Sequence, residues 1–557
     1  MAVPSTELLL SGPLIDVRNL HVAFGSGHRR TTAVDGVSFT VDRGASVAIV
    51  GESGSGKSVT ARSLVGLIGG SADVQADRLH VDGFDALALS ERQWRGLRGK
   101  HVGLVLQDAL SSLDPLRTVG AEIGEVLRTH RVVERALVDD RVRELLCQVG
   151  VPEPALRASQ YPHELSGGLR QRALIASAIA AEPALLIADE PTTALDVTVQ
   201  AQILRLLDER RDAGTALLLI SHDLAVVSRA ADYVYVMKDG VFVEHGPTEQ
   251  VLGHPSHPYT RKLIDAVPAP HQRGTRLTTG AAAPRPAPTS EVVLRADGLS
   301  KHFPLSGNRR LRAVDEVSLV VHRGETLGIV GESGSGKSTV ARLLLGFETP
   351  DAGTVEVDGQ AWTAMSRRDL RTTRRRVQAV YQDPVSSFDP RHTVRRVVEQ
   401  PLLVGGGRSR AERRTRVREL LELVGLRDEH ADRHPSRLSG GQRQRVAIAR
   451  ALATQPDVVI CDEPVSALDV SIQAQILDLL MDLQSELGTA YVFISHHLGV
   501  VYHVADHVLV MKAGKVVESG TVERIFAEPE DEHTRELLAA VPTLGHDADG
   551  EKVGAPV

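Results

Sequence analysis

Two eight-residue stretches of this 557-residue chain combine residue types that can hold a phosphate group. They are Gly51-Glu52-Ser53-Gly54-Ser55-Gly56-Lys57-Ser58 and Gly331-Glu332-Ser333-Gly334-Ser335-Gly336-Lys337-Ser338. Glycines let successive backbone N–H groups converge on oxygen atoms, a lysine brings an ammonium to the β- and γ-phosphates, and a hydroxyl can ligate Mg²⁺. The apolar runs 47–50 and 327–330 precede the two stretches and read as strands, while helix-forming residues follow from Val59 and Thr339. A helix opening there adds its partial positive charge to the cradle. Lysine is scarce, at nine against 55 arginines, yet each stretch uses one.

A second pair of elements fits the same chemistry. The apolar runs 184–188 and 458–461 end in Asp189-Glu190 and Asp462-Glu463. An Asp-Glu pair is ordinarily part of a solvated loop. At the end of a buried strand, in a chain with a phosphate cradle, the aspartate belongs beside Mg²⁺ and the glutamate can polarise a water for attack on the γ-phosphate. These residues read as a P-loop NTPase site, present twice. The cradles recur at an offset of 280 residues and the carboxylate pairs at 273, in the same order. Such a long period means two copies of one domain rather than a solenoid.

Leu165-Ser166-Gly167-Gly168 and Leu438-Ser439-Gly440-Gly441 also recur, each with its serine 24 residues before the glutamate. These segments resemble the signature motif of ABC ATPases, and the resemblance covers nearly the whole chain. It implies an α/β fold of two tandem ATPase domains. Each would have a RecA-like parallel-sheet core, an antiparallel β subdomain and a helical subdomain. It further implies head-to-tail domains, with Ser166, Gly167 and Gly168 closing over the Lys337 loop and Ser439, Gly440 and Gly441 over the Lys57 loop. ATP would also meet Val59, Thr339 and the adenine-stacking Phe24 and Phe303, and Mg²⁺ would meet Ser58, Gln107, Asp189, Ser338, Gln382 and Asp462. Carried over in the same way, Glu190 and Glu463 are the bases, Gln107 and Gln382 touch the attacking water, and His222 and His496 contact the γ-phosphate. Asp196 and Asp469 match the aspartate that communicates between sites. Two departures stand out: His497 where the first copy has Asp223, and Leu169 where the second has Gln442.

The elements that must position these residues follow from pattern. Short β-branched runs alternate with helical stretches, the mark of a parallel sheet with crossover helices. Asp239-Gly240 between apolar runs signals a hairpin, repeated at Ala513-Gly514. The boundaries expected are a first ATPase domain over 1–268, a Pro/Ala-rich extended linker over 269–292, a second domain over 293–543 and a disordered polar tail over 544–557.

Composition narrows the role. A net charge of −7 argues against a nucleic-acid-binding surface over the whole molecule. Two cysteines allow neither a disulfide framework nor a zinc cluster like that of excision-repair relatives. No apolar run reaches the ~20 residues that span a bilayer, and no signal peptide is read at the N-terminus. Spacings of 59 and 57 residues between glutamine and signature serine suit a small helical subdomain rather than a long coiled coil.

His254-Pro-Ser-His-Pro-Tyr-Thr-Arg-Lys-Leu-Ile-Asp-Ala-Val-Pro268 resembles the C-terminal extension of oligopeptide/dipeptide importer ATPases, and 532–542 is a worn version lacking Pro-Tyr. This resemblance implies uptake of di- or oligopeptides, with nickel, glutathione or another small solute as alternatives. A soluble ABC ATPase acting on ribosomes or nucleic acid is the less favoured reading. The partners implied are two transmembrane permease subunits and an extracytoplasmic solute-binding protein, with no nucleic acid. The chain would supply both ATPase halves, peripherally on the cytoplasmic face of the plasma membrane. Residues 111–118 and 386–393 are the expected permease contacts.

Overall fold

In a computed structural model the chain is described over residues 12–25, 30–69, 72–107, 112–192, 195–268, 273–283, 289–304, 310–362, 365–404 and 409–541. Its described residues divide into two units, the first holding those up to Leu195 and Val199–Ile264, the second Asp196–Thr198 and Asp265–Val541. The expected tail over 544–557 lies outside the described residues.

In the first unit, six strands form the core sheet in the spatial order Val241–Pro247, Tyr233–Lys238, Ser46–Val50, Ala216–Ser221, Leu185–Asp189, Val102–Val105. All neighbours run parallel except the Tyr233–Lys238/Val241–Pro247 hairpin. Its turn residues Asp239 and Gly240 have φ of 48° and 85°, the left-handed pair that such a tight turn demands. Strands Ser46–Val50 and Ala216–Ser221 are buried at every position, which is why they read as continuous apolar runs instead of alternating ones. Because the central strands are parallel, their C-terminal ends lie along one edge. That edge is where an open α/β sheet offers a ligand crevice.

A second, antiparallel sheet of the same unit is built on Ile15–Phe24, paired with Thr31–Val41, Ala72–Gln75 and Arg78–Val81. Its inward side chains, among them Leu20, Val34, Phe39 and Leu79, share one core with Val47, Ile49 and Leu218 of the parallel sheet. Helices Val119–His130, Val138–Gln148 and Gly167–Ile179 pack on one another as the helical subdomain.

The second unit repeats this plan. Its core sheet runs Val377–Val380, Val458–Asp462, Ala490–Ile494, Thr326–Gly331, His507–Lys512, Lys515–Thr521. Its antiparallel sheet is centred on Val292–Pro304, and its helical subdomain holds Val394–Val404, Arg410–Leu423 and Gly440–Leu452.

The linker differs from the extended spacer that its composition predicts. Residues 273–283 are anchored on the second unit. Arg273 donates to Glu523 and to the Tyr502 and Ala505 carbonyls at 2.6–2.7 Å. Arg276 donates to Asp482 at 2.6 Å. The carboxylate of buried Asp478 accepts from the Leu277 N–H (2.8 Å), the Thr278 N–H (3.0 Å) and the Thr278 hydroxyl (2.6 Å). Composition registers the weak core-forming power of Pro and Ala but not the charged partners some 200 residues away. Linker residues 269–272 and 284–288 lie outside the described set, and strand Val292–Pro304 starts at the last expected linker position.

Candidate functional site

Each phosphate-loop candidate joins a central buried strand to a short helix, Lys57–Ser63 in the first unit and Lys337–Leu344 in the second. Gly51 and Gly56 have φ of 151° and 107°. A Cβ on Gly51 would run into the Met237 carbonyl, and one on Gly56 into the Ala33 carbonyl. Gly331 and Gly336 meet Met511 and Ala313 in the same way. Glycine is required there because backbone closes on the loop from behind. The Lys57 ammonium donates to the Gly51 and Glu52 carbonyls at 2.7 and 2.8 Å, and that of Lys337 to Gly331 and Glu332 at 2.7 Å each. Both lysines are buried, and burial holds the Lys337 ammonium below the usual lysine range. Ser53, Gly54, Ser333 and Gly334 form the exposed crests of the two loops, Ser55 and Ser335 are buried behind them, and Val59 and Thr339 lie in the first turns of the helices.

The parallel sheet brings the other first-unit candidates to this edge. Ser58, on the helix, donates its hydroxyl to Asp189 Oδ1 at 2.8 Å. Asp189 is 1 % exposed, and burial pushes its carboxyl up. Among the described residues its Oδ2 accepts no hydrogen bond, and it has the Arg62 guanidinium 3.8 Å away. Next along the chain, Glu190 takes a φ of 51°, fixed by its N–H on the Ile220 carbonyl at 2.9 Å. This left-handed backbone costs energy for a non-glycine residue, and it turns the carboxylate out of the strand. Glu190 then accepts from the Gln107 amide at 2.7 Å, and His222 Nδ1 lies 3.1 Å from its other oxygen.

The second unit repeats the carboxylate geometry. Glu463 has φ 49° and its N–H on Ile494 at 2.9 Å, with His496 Nδ1 3.1 Å from its carboxylate. Burial raises the Glu463 carboxyl, but the His496 hydrogen bond and charge, with the Lys337 charge and Ser466, outweigh it and the net shift is downward. Asp462 is raised by burial and by Glu463 beside it, and bonds to Ser338. One pairing is not repeated. Gln382 is exposed, and among the described residues no bond joins it to Glu463.

Ser166 and Ser439 are the N-caps of helices Gly167–Ile179 and Gly440–Leu452, accepting from Leu169 and Gln442 N–H respectively. In the second helix the Gln442 side chain returns a bond to the Ser439 N–H at 3.1 Å, completing a capping box. Leu169 cannot do this, so the first helix start has one anchor fewer. Gly167, Gly168, Gly440 and Gly441 form the first helical turns, with Gly441 against Ile472 and Gly168 against Val199. The other departure keeps the helix cap with one backbone donor in place of two. Asp223 caps helix Leu224–Ala230, and His497 Nδ1 caps Leu498–Val504 in its place.

Phe24 and Phe303 are half-buried at matching strand ends, with the Lys301 ammonium 5.7 Å from the Phe303 ring centre. Asp469 opens helix Val470–Leu487, and Asp196 precedes helix Val197–Asp212. Arg62 was missed by sequence reasoning; its position five residues after Lys57 on the loop helix was the available signal. The matching Arg342 instead pairs with Glu348 at 2.7 Å.

This fold and these paired sites define an ATP-binding cassette pair. The family model for ABC transporters matches residues 34–193 and 314–466, and the chain belongs to that family. It is an ATP-binding, ATP-hydrolysing protein. A model described as the oligopeptide/dipeptide transporter C-terminal region matches residues 243–290. The chain is 46 % identical over 537 residues to the peptidoglycan transport ATP-binding protein YejF of Agrobacterium fabrum, covering 95 % of this chain and 96 % of that one. It is 43 % identical over 568 residues to the glutathione import ATP-binding protein GsiA of Escherichia coli, covering 97 % and 91 %. Among solved structures, cbiO1 of Clostridium perfringens, part of the cbiONQ transporter complex, is 31 % identical with a TM-score of 0.39, covering 43 % of this chain and 93 % of that one. Among the described residues no helix is long and apolar enough to cross a membrane.

Proposed function

We propose that the chain is the fused ATPase pair of an importer for short peptides, including peptides with unusual linkages. The observation that carries this reading is the oligopeptide/dipeptide C-terminal region following the first cassette in a chain aligned nearly end to end with two transport ATPases. Those relatives are named for peptidoglycan and glutathione, and both compounds contain short peptides. In this reading the chain works from the cytoplasmic face of the plasma membrane, through two permease subunits fed by a solute-binding protein. Residues 112–118 and 386–393 are the contacts; residue 111 lies outside the described set.

Within each cassette the loop N–H groups and Lys57 or Lys337 hold the β- and γ-phosphates, with Phe24 or Phe303 under the adenine. Glu190 and Glu463 take a proton from the attacking water. His222 and His496 orient these carboxylates and face the γ-phosphate. The buried, incompletely bonded Asp189 carboxylate beside the Ser58 hydroxyl fits a hard divalent cation. Ser58, Gln107 and Asp189, with Ser338, Gln382 and Asp462, would hold Mg²⁺, which would neutralise phosphate charge.

The test is uptake by the transporter reconstituted in proteoliposomes with the permeases and binding protein that copurify with this chain. ATP-dependent uptake of a tri- or tetrapeptide supports the reading. Uptake of nickel alone, or copurification with ribosomes instead of permeases, contradicts it.

A further inference from the structure

One contact links the C-terminal extension to the chemistry of the first cassette. Tyr259, 6 % exposed in helix Pro258–Asp265, accepts a hydrogen bond on its hydroxyl from the Glu52 N–H of the phosphate loop, at 3.1 Å. That N–H belongs to the same peptide unit as the Gly51 carbonyl, which accepts from the Lys57 ammonium at 2.7 Å. The phenol and the lysine therefore grip opposite ends of one peptide group, and its orientation sets where the ammonium rests.

Tyr259 is itself held in place. The Lys238 ammonium lies 5.1 Å from its ring centre, and its N–H donates to His257 Nδ1 at 3.1 Å. The turn before its helix is docked by Glu244 of strand Val241–Pro247, whose carboxylate accepts the Ser256 and His257 N–H groups at 2.7 and 3.1 Å.

The second cassette keeps the dock and lacks the link. Glu518 accepts the Glu530 and Asp531 N–H groups at 2.9 and 3.1 Å, ahead of helix Glu532–Ala539. His533 stands where the first extension has Tyr259. It is 3 % exposed, its Nε2 makes no hydrogen bond, and no bond joins it to the Glu332 N–H among the described residues.

We infer that Tyr259 is a positioning residue for the first phosphate loop, so that the two cassettes, alike in their reacting groups, hold ATP with different loop rigidity. A loop whose peptide is fixed before binding loses less freedom when phosphate arrives. The bond touches neither water nor γ-phosphate and serves ground state and transition state alike. It therefore acts on affinity rather than on turnover.

The experiment uses the full chain with one loop lysine removed, so that MgATP binding reports on one cassette at a time. In a Lys337→Ala chain, Tyr259→Phe is expected to raise the Kd for MgATP by about 2- to 10-fold, the worth of one hydrogen bond. The same substitution in a Lys57→Ala chain leaves Kd unchanged, and so does His533→Phe. Tyr259→His, which reproduces the second extension, weakens the first cassette as Tyr259→Phe does and guards against a packing defect of either variant. In the chain with both lysines, Tyr259→Phe raises KM and leaves kcat unchanged. Unaltered first-cassette affinity in both Tyr259 variants, or equal weakening of both cassettes, overturns the inference.

Discussion

Replacing Glu190 and Glu463 together by glutamine removes two proton acceptors while changing little else. Glutamine keeps the side-chain volume, and its amide oxygen can still face His222 or His496, now 3.1 Å from each carboxylate. The left-handed backbone at both positions, φ 51° and 49°, strains glutamine no more than glutamate. Folding stability is therefore expected to change by less than ~1 kcal/mol for these partly exposed groups. A positioned general base contributes about 10²- to 10⁴-fold, equivalent to ~3–5 kcal/mol of barrier at 1.36 kcal/mol per decade. The assay is steady-state phosphate release at saturating MgATP, beside the Kd for MgATP of the same proteins. Each single variant should keep at most half of the parent kcat, and the double variant should lose 10²- to 10⁴-fold, with Kd unchanged. A double variant within tenfold of the parent would refute the assignment of these carboxylates as bases.

Two further predictions concern the segments that flank the cassettes. Asp478→Ala strands the buried Leu277 N–H, at about 1–3 kcal/mol, and releases the exposed Thr278, so trypsin should cut faster at Arg273 and Arg276; unchanged cleavage would show that the strap does not depend on this carboxylate. For the docking carboxylates Glu244 and Glu518, burial raises the pKa but the neighbouring Thr260 or Thr534 hydroxyl and the bonds from backbone N–H groups outweigh it, and both end below the usual 4.5. A carboxyl depressed in the folded state stabilises it fully above the unfolded pKa and loses that contribution as pH falls through the folded one. Amide protection factors at His257 and Asp531 should accordingly be flat above pH 4.5 and collapse in more acid solution, and a flat profile down to pH 3 would contradict the dock.

Much of the fold was readable because the groups that matter are local in sequence. A glycine loop after a buried strand and before a helix, a carboxylate pair at a strand end and an Asp-Gly hairpin each carry their reason within about ten residues. The repeat then supplied the domain plan. The hidden features are long-range contacts. Tyr259 meets Glu52 across 207 residues, and Asp478 reaches Thr278 across 200. Neither pairing has a periodic signature. The cation over Tyr259 is Lys238, for which the sequence offered no chemistry. Leu169 looked harmless because it touches no reacting group, yet it removes half of a capping box present at Gln442. His497 departs from the Asp223 of the first copy and is a working helix cap. Gln382 matches Gln107 in the sequence but is not joined to its glutamate as Gln107 is, a side-chain difference that motif spacing cannot express.

The central claim is that both cassettes of this one chain hold MgATP. Equilibrium dialysis of the Glu190→Gln/Glu463→Gln chain against saturating MgATP tests it without interference from hydrolysis. Two bound nucleotides per chain are predicted, falling to one when either Lys57 or Lys337 is also replaced by alanine. One nucleotide or fewer in the chain with both lysines intact would contradict the account.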